Sequence, residues 1–81
     1  MIDLGGKRAL VCGGTKGIGK AAATALKDCG ASVVVLSRTA SGNDTIACDL
    51  EDIDLLTTSI KREIAKNGPF QILINNSGGP P

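Results

Sequence analysis

Arg8-Ala9-Leu10-Val11-Cys12-Gly13-Gly14-Thr15-Lys16-Gly17-Ile18-Gly19 is the stretch on which the fold turns. Its first five residues form a short apolar run cut off by glycines, the pattern of a buried strand. Its last residues open a segment in which Ile18, Ala22, Ala25, Leu26 and Cys29 recur at helical spacing, with Gly30 as a stop. A glycine-rich turn between a strand and a helix has a physical meaning. Glycine reaches positive φ without steric cost. The helix that follows aims its free N–H groups and the positive end of its dipole at the turn, which makes an anion site.

Outward from this stretch the pattern repeats. Residues 32–37 carry Val33-Val34-Val35-Leu36, a β-branched run without alternation, as expected of a strand covered on both faces. Residues 39–44 read as a polar loop and residues 45–48 as a short third strand. Ile53, Leu56, Ile60 and Ile64 mark a second amphipathic helix over residues 51–66, stopped by Asn67-Gly68-Pro69. Residues 71–75 form a fourth strand, and residues 77–81 a loop. Strands alternating with helices pair in parallel through right-handed crossovers. The expected fold is α/β: the first half of a Rossmann-type doubly wound parallel sheet, with strand order 3-2-1-4 and helices over residues 18–29 and 51–66.

Composition narrows the function. The chain has 81 residues, one small domain at most, and 42% of them are hydrophobic, enough for a packed interior. The net charge of +1 carries no long run of one sign, so neither a nucleic-acid groove nor a membrane surface is indicated. Cys12, Cys29 and Cys48 are odd in number and widely spaced, and there is no histidine. That pattern suits neither a disulfide scaffold nor a metal site and fits small thiols in a reducing, cytoplasmic setting.

The glycine turn itself admits two phosphate readings. Residues 14–20 spell Gly-x-x-x-x-Gly-Lys, one residue short of the phosphate-binding loop of nucleoside triphosphatases. Ala21 follows, and it lacks the hydroxyl that would hold Mg²⁺. The spacing of Gly13, Gly17 and Gly19 fits a dinucleotide turn better. A plain turn without ligand is the remaining alternative.

Three motifs in order carry a family resemblance. Cys12-Gly13-x-x-x-Gly17-Ile18-Gly19 resembles the Thr-Gly-x-x-x-Gly-Ile-Gly turn of short-chain dehydrogenases/reductases. Asn75-Asn76-Ser77-Gly78 resembles that family's Asn-Asn-Ala-Gly motif after the fourth strand, and Asp49-Leu50 its acidic-aliphatic pair after the third. Cys12 in place of Thr and Ser77 in place of Ala are the departures. Cys12 lacks the hydroxyl that can tie the turn down. The resemblance spans the whole chain but only the first part of a family member. It implies that Asp49 holds the adenine amino group, Leu50 lines the adenine pocket, and Asn76, Ser77 and Gly78 face the ribose and nicotinamide. For Asp49 an N-cap of the second helix is the other reading, compatible with the first.

The end of the second strand chooses the nucleotide. An NAD site places an acid there to bind the ribose 2′-hydroxyl. Here Ser37 and Arg38 occupy the place, Arg38 nineteen positions past Gly19. A guanidinium forks onto a 2′-phosphate that a carboxylate would repel. Lys16 stands where NADP-binding members of the family often carry a basic residue, and Thr15, Ser37 and Thr39 are polar neighbours in the two turns. The expected cofactor is NADP(H), ahead of NAD; an ordinary surface charge is the alternative for Arg38.

The family's catalytic acid is a Tyr activated by a Lys four residues later, with a Ser from another strand, and this chain contains no Tyr. No catalytic residue is therefore assigned. The chain is expected to be the N-terminal part of a single nucleotide-binding domain, cut after the fourth strand and inactive alone. The complete form implied by the resemblance is a homo-oligomeric reductase of a small-molecule carbonyl substrate, 3-oxoacyl thioesters included. The alternative is a non-catalytic nucleotide sensor on the same scaffold.

Overall fold

The computed structural model describes residues 2–13, 17–39, 42, 44–49 and 51–75. Six elements follow in order: β1 (Arg8–Cys12), α1 (Gly17–Asp28), β2 (Ser32–Ser37), β3 (Thr45–Ala47), α2 (Ile53–Asn67) and β4 (Ile72–Asn75). All pairings are parallel, as the alternating pattern requires, and the order is the expected β3-β2-β1-β4. The boundaries of four elements shift by one or two residues from expectation. Gln71 stays outside β4 although its N–H donates to the Arg8 carbonyl at 2.9 Å and its Oε1 accepts from the Arg8 N–H at 2.8 Å. Cys48 likewise prolongs the β3 ladder by donating to the Ser37 carbonyl at 3.0 Å.

The period-two geometry of the strands divides the core in two. Ala9, Val11, Val33 and Val35 line the face under α1, with Ala23 and Ala31. Leu10, Cys12, Val34, Leu36 and Cys48 line the other, against Leu56, Ile60, Ile46 and Phe70. Both faces of β1 and β2 are covered, which is why their sequences are apolar throughout.

Each helix keeps part of its expected face, Leu26 on α1 and Leu56 and Ile60 on α2, and exposes the rest. On α1 the buried residues are Gly19 and Ala23, whereas Ile18 is 77% exposed and Ala25 is exposed as well. The smallest side chains, four apart, let the helix backbone come down onto the valines; Ile18 lies a quarter-turn away from that stripe. On α2, Leu56 and Ile60 do face the core, but Ile53 is 64% and Ile64 39% exposed. The inward stripe is turned toward Ser59 and Glu63, both half-buried.

Arg8 meets α2 on that side. Its Nη2 donates to Glu63 Oε2 at 2.7 Å, its Nη1 donates to the Gly68 carbonyl, and its guanidinium carbon lies 4.4 Å from the Phe70 ring centroid. Asn67 Nδ2 donates to the same Glu63 oxygen at 2.6 Å. One side chain at the start of β1 thus ties down the end of α2 and the entry to β4. Charge-assisted hydrogen bonds and the ring contact make this pairing directional.

The three cysteines are unpaired: Cys12 and Cys48 are buried and Cys29 is half-buried. Burial pushes the Cys12 thiol up from its ordinary value, so at neutral pH it is a protonated, unreactive packing group. Among the described residues no helix is long and apolar enough to cross a membrane.

Candidate functional site

In a parallel sheet all strands end on one edge, and the sequence places its motifs there. The register Cys12↔Leu36 brings the exit of β1 beside the end of β2. Gly13, the first residue past β1, donates its N–H to the Leu36 carbonyl at 2.7 Å. Its φ is +78°, and that of Gly17 is +56°. Both angles lie in the left-handed region that favours glycine. At Gly17 an added Cβ would meet nothing within 4 Å, so conformation rather than space demands glycine there. Gly17 also opens α1, and the first turn of α1 holds no acidic residue. Its first-turn N–H groups and the positive end of its dipole therefore face the edge, with no acid in that turn. Gly19 is buried against the sheet and Ile18 stands exposed beside the turn.

The second strand contributes the next group. Ser37 is buried at 8% exposure, and its Oγ accepts the Thr39 N–H at 3.3 Å. That bond braces the tight turn from which Arg38 and Thr39 project, both exposed. Among the described residues the guanidinium of Arg38 has no ion-pair partner. No acid occupies the turn, so its charge faces solvent at the same edge as Gly13.

The third strand delivers Asp49, exposed just beyond Cys48. One Asp49 carboxylate oxygen accepts the Glu51 N–H at 2.9 Å, closing a turn two residues long. It does not cap α2. Asp52 does, accepting the Leu55 N–H at 3.1 Å, because α2 starts at Ile53 rather than at residue 51. Asp52→Ala should therefore lower stability by about 1 kcal/mol, whereas Asp49→Ala should cost less than about 0.5 kcal/mol, as for ordinary surface sites. Urea midpoints of the two variants check this, and the opposite ranking would return the cap to Asp49.

The fourth strand ends at Asn75, in register with Cys12. Thr15, Lys16, Leu50, Asn76, Ser77 and Gly78 lie outside the described residues. Gly13, Gly17, Ile18, Gly19, Ser37, Arg38, Thr39 and Asp49 are described, and they gather along the carboxyl ends of β1, β2 and β3. The chain runs from β1 outward to β2 and β3, then crosses to β4 on the other side of β1. Ligands of open α/β sheets bind at such a reversal. An open cleft of about 550 Å³ elsewhere is lined by Arg8, Lys27, Ser32, Asp44 and Glu63. It holds none of these groups, and its Arg8 and Glu63 are engaged with each other.

Comparison with known proteins gives a consistent result. Residues 7–81 match the short chain dehydrogenase family. D-erythrulose reductase of Gallus gallus is 38% identical over 94% of this chain and 33% of its own length. L-xylulose reductase of Mus musculus is 33% identical over 94% of this chain and 34% of its own. Among solved structures, 2-keto-3-deoxy-D-gluconate dehydrogenase from Streptococcus agalactiae superposes with a TM-score of 0.83 at 26% identity, over 99% of this chain and 35% of that one. The chain spans about a third of the length of the curated relatives it matches.

Proposed function

The chain belongs to the short-chain dehydrogenase family of oxidoreductases, and on that premise we propose that it holds NADP(H) as the N-terminal part of a single nucleotide-binding domain. The observation that carries the choice of nucleotide is Arg38: exposed, without an ion-pair partner among the described residues, on a braced turn beside Gly13, with no acid at the end of β2.

In this reading the first turn of α1 receives the pyrophosphate, and Gly13 and Gly17 keep the backbone clear for it. Arg38 grips the 2′-phosphate bidentately, assisted by Lys16, Thr15 and the hydroxyls of Ser37 and Thr39. Asp49 accepts from the adenine amino group and Leu50 covers the adenine ring. Asn76, Ser77 and Gly78 address the ribose and the nicotinamide side. NADPH supplies the hydride when bound. With no Tyr in the chain, no residue here is assigned to protonate the product.

The whole protein is then a cytoplasmic, homo-oligomeric carbonyl reductase. Two relatives are named for D-erythrulose and L-xylulose, which favours a small hydroxyketone over a 3-oxoacyl thioester as substrate. Ligand-dependent unfolding tests the nucleotide reading. NADP⁺ at a hundred times its dissociation constant should raise stability by about 2.7 kcal/mol, and NAD⁺ at the same concentration should do markedly less. Equal stabilisation by the two, or none, would overturn it.

A further inference from the structure

We propose that the open edge of β3, together with the α2 stripe Leu55, Ser59, Arg62 and Lys66, is a docking groove for an extended acidic peptide segment. The inference is independent of the nucleotide reading.

The backbone supplies the first part. Among the described residues β3 pairs with β2 alone, so its other side is a sheet edge. Val35 donates to the Asp44 carbonyl and Cys48 donates to the Ser37 carbonyl, each at 3.0 Å. In a parallel ladder alternate residues address opposite neighbours. Asp44, Ile46 and Cys48 therefore address β2, and Thr45 and Ala47 turn their N–H and C=O groups outward. Among the described residues nothing pairs with them on that side. Such an edge is a template for an added strand.

The side chains supply the second part. A groove of about 340 Å³ runs between this edge and α2, lined by Ile46, Ala47, Leu55, Ser59, Arg62 and Lys66. The α2 members are spaced four, three and four apart, one stripe of a helix. Leu55, at 47% exposure, and Ile46 give the groove an apolar wall. Glu63 also borders it, but its carboxylate is held inward by Arg8. Arg62 and Lys66 are exposed and have no ion-pair partner among the described residues. Asp44 at the start of β3 offsets one of these charges, which leaves the groove net positive.

Charge complementarity selects the occupant. An acidic extended segment would add backbone hydrogen bonds at Thr45 and Ala47, place an apolar side chain beside Leu55, and set a carboxylate near Arg62 and Lys66. A second copy is the poorer fit, since an isologous pair would bring two basic stripes to one interface.

The test uses the full chain and two fluorescein-labelled peptides, one alternating Val with Glu and the other Val with Lys. Fluorescence polarisation should show binding of the Glu peptide only. Amide hydrogen exchange at Thr45 and Ala47 should slow in its presence. Arg62→Glu combined with Lys66→Glu, both surface changes, should weaken binding about tenfold or more, the equivalent of 1.4 kcal/mol. Ala47→Pro, which removes an outward N–H, should abolish binding; should that variant not fold, the charge-reversal result decides alone. Equal binding of both peptides, or of neither, overturns the proposal. So does protection of Thr45 and Ala47 that rises with protein concentration without peptide, which would mark a second copy as the occupant.

Discussion

Arg38→Asp should reverse the nucleotide preference of the whole protein from NADP toward NAD. Two effects act in the same direction. The substitution removes a charge-assisted contact to the 2′-phosphate, about 1.5–3 kcal/mol, or ten- to a hundredfold in affinity. It also installs a carboxylate that repels the phosphate and can accept the 2′-hydroxyl of NAD. Because Arg38 is exposed, screening places the electrostatic part toward the lower end in ordinary buffer, and it should shrink further as salt is raised. The turn itself should survive. It is held by the Ser37 hydroxyl and the Thr39 N–H, not by the Arg38 side chain. Binding titrations of both nucleotides at two ionic strengths are the check. A ratio of NADP to NAD affinity that does not move would make Arg38 an ordinary surface charge and remove the basis for choosing NADP.

The parts of the molecule that could be read from the sequence are those that local chemistry specifies. The valines of β2 have no polar alternation, so that strand had to be covered on both faces, and it is. Glycines set between a strand and a helix required a left-handed turn, which Gly13 and Gly17 adopt. The features that escaped reading depend on partners distant in the chain. Arg8 and Glu63 are separated by 55 positions, and nothing in either neighbourhood announces the other. Their pairing goes with a helix that sets Glu63 inward and leaves Ile53 and Ile64 exposed. The α1 face was legible only in part, since Leu26 packs on the core as expected and Ile18 does not. Counting large apolar side chains points to Ile18, yet a helix lying close on a valine surface needs Gly19 and Ala23. Asp49 was the cap expected of a helix starting at residue 51; α2 starts at Ile53, and Asp52 takes that place.

Leu36→Ala should leave the chain largely unfolded, while Leu73→Ala, the same change in the same sheet, should be nearly silent. Leu36 has 0% exposure and sits on β2, one of the two interior strands of the sheet. Its neighbours are Leu10, Cys12, Val34 and Cys48, under a helix of which no residue is fully buried. Truncation of a buried leucine costs about 2–5 kcal/mol, the upper part where the surroundings cannot close the cavity. Here the strands are fixed by ladders on both sides, and α2 is anchored at its far end by Arg8, so collapse is limited. A single core in a chain of 81 residues, with its three cysteines unpaired and no metal-ligand cluster among the described residues, supplies about 3–5 kcal/mol in total. The loss therefore consumes most or all of the stability. Leu73, by contrast, is 65% exposed on the edge strand β4, and surface changes usually stay within about 0.5 kcal/mol. Its removal should instead reduce association, because an apolar edge without charge or proline invites pairing with another chain. Urea denaturation of the two variants, with light scattering across a concentration series, reads both effects. A cooperative Leu36→Ala transition within about 1 kcal/mol of the parent would show that α2 can settle onto the vacated site, and that this face of the core is softer than its burial indicates.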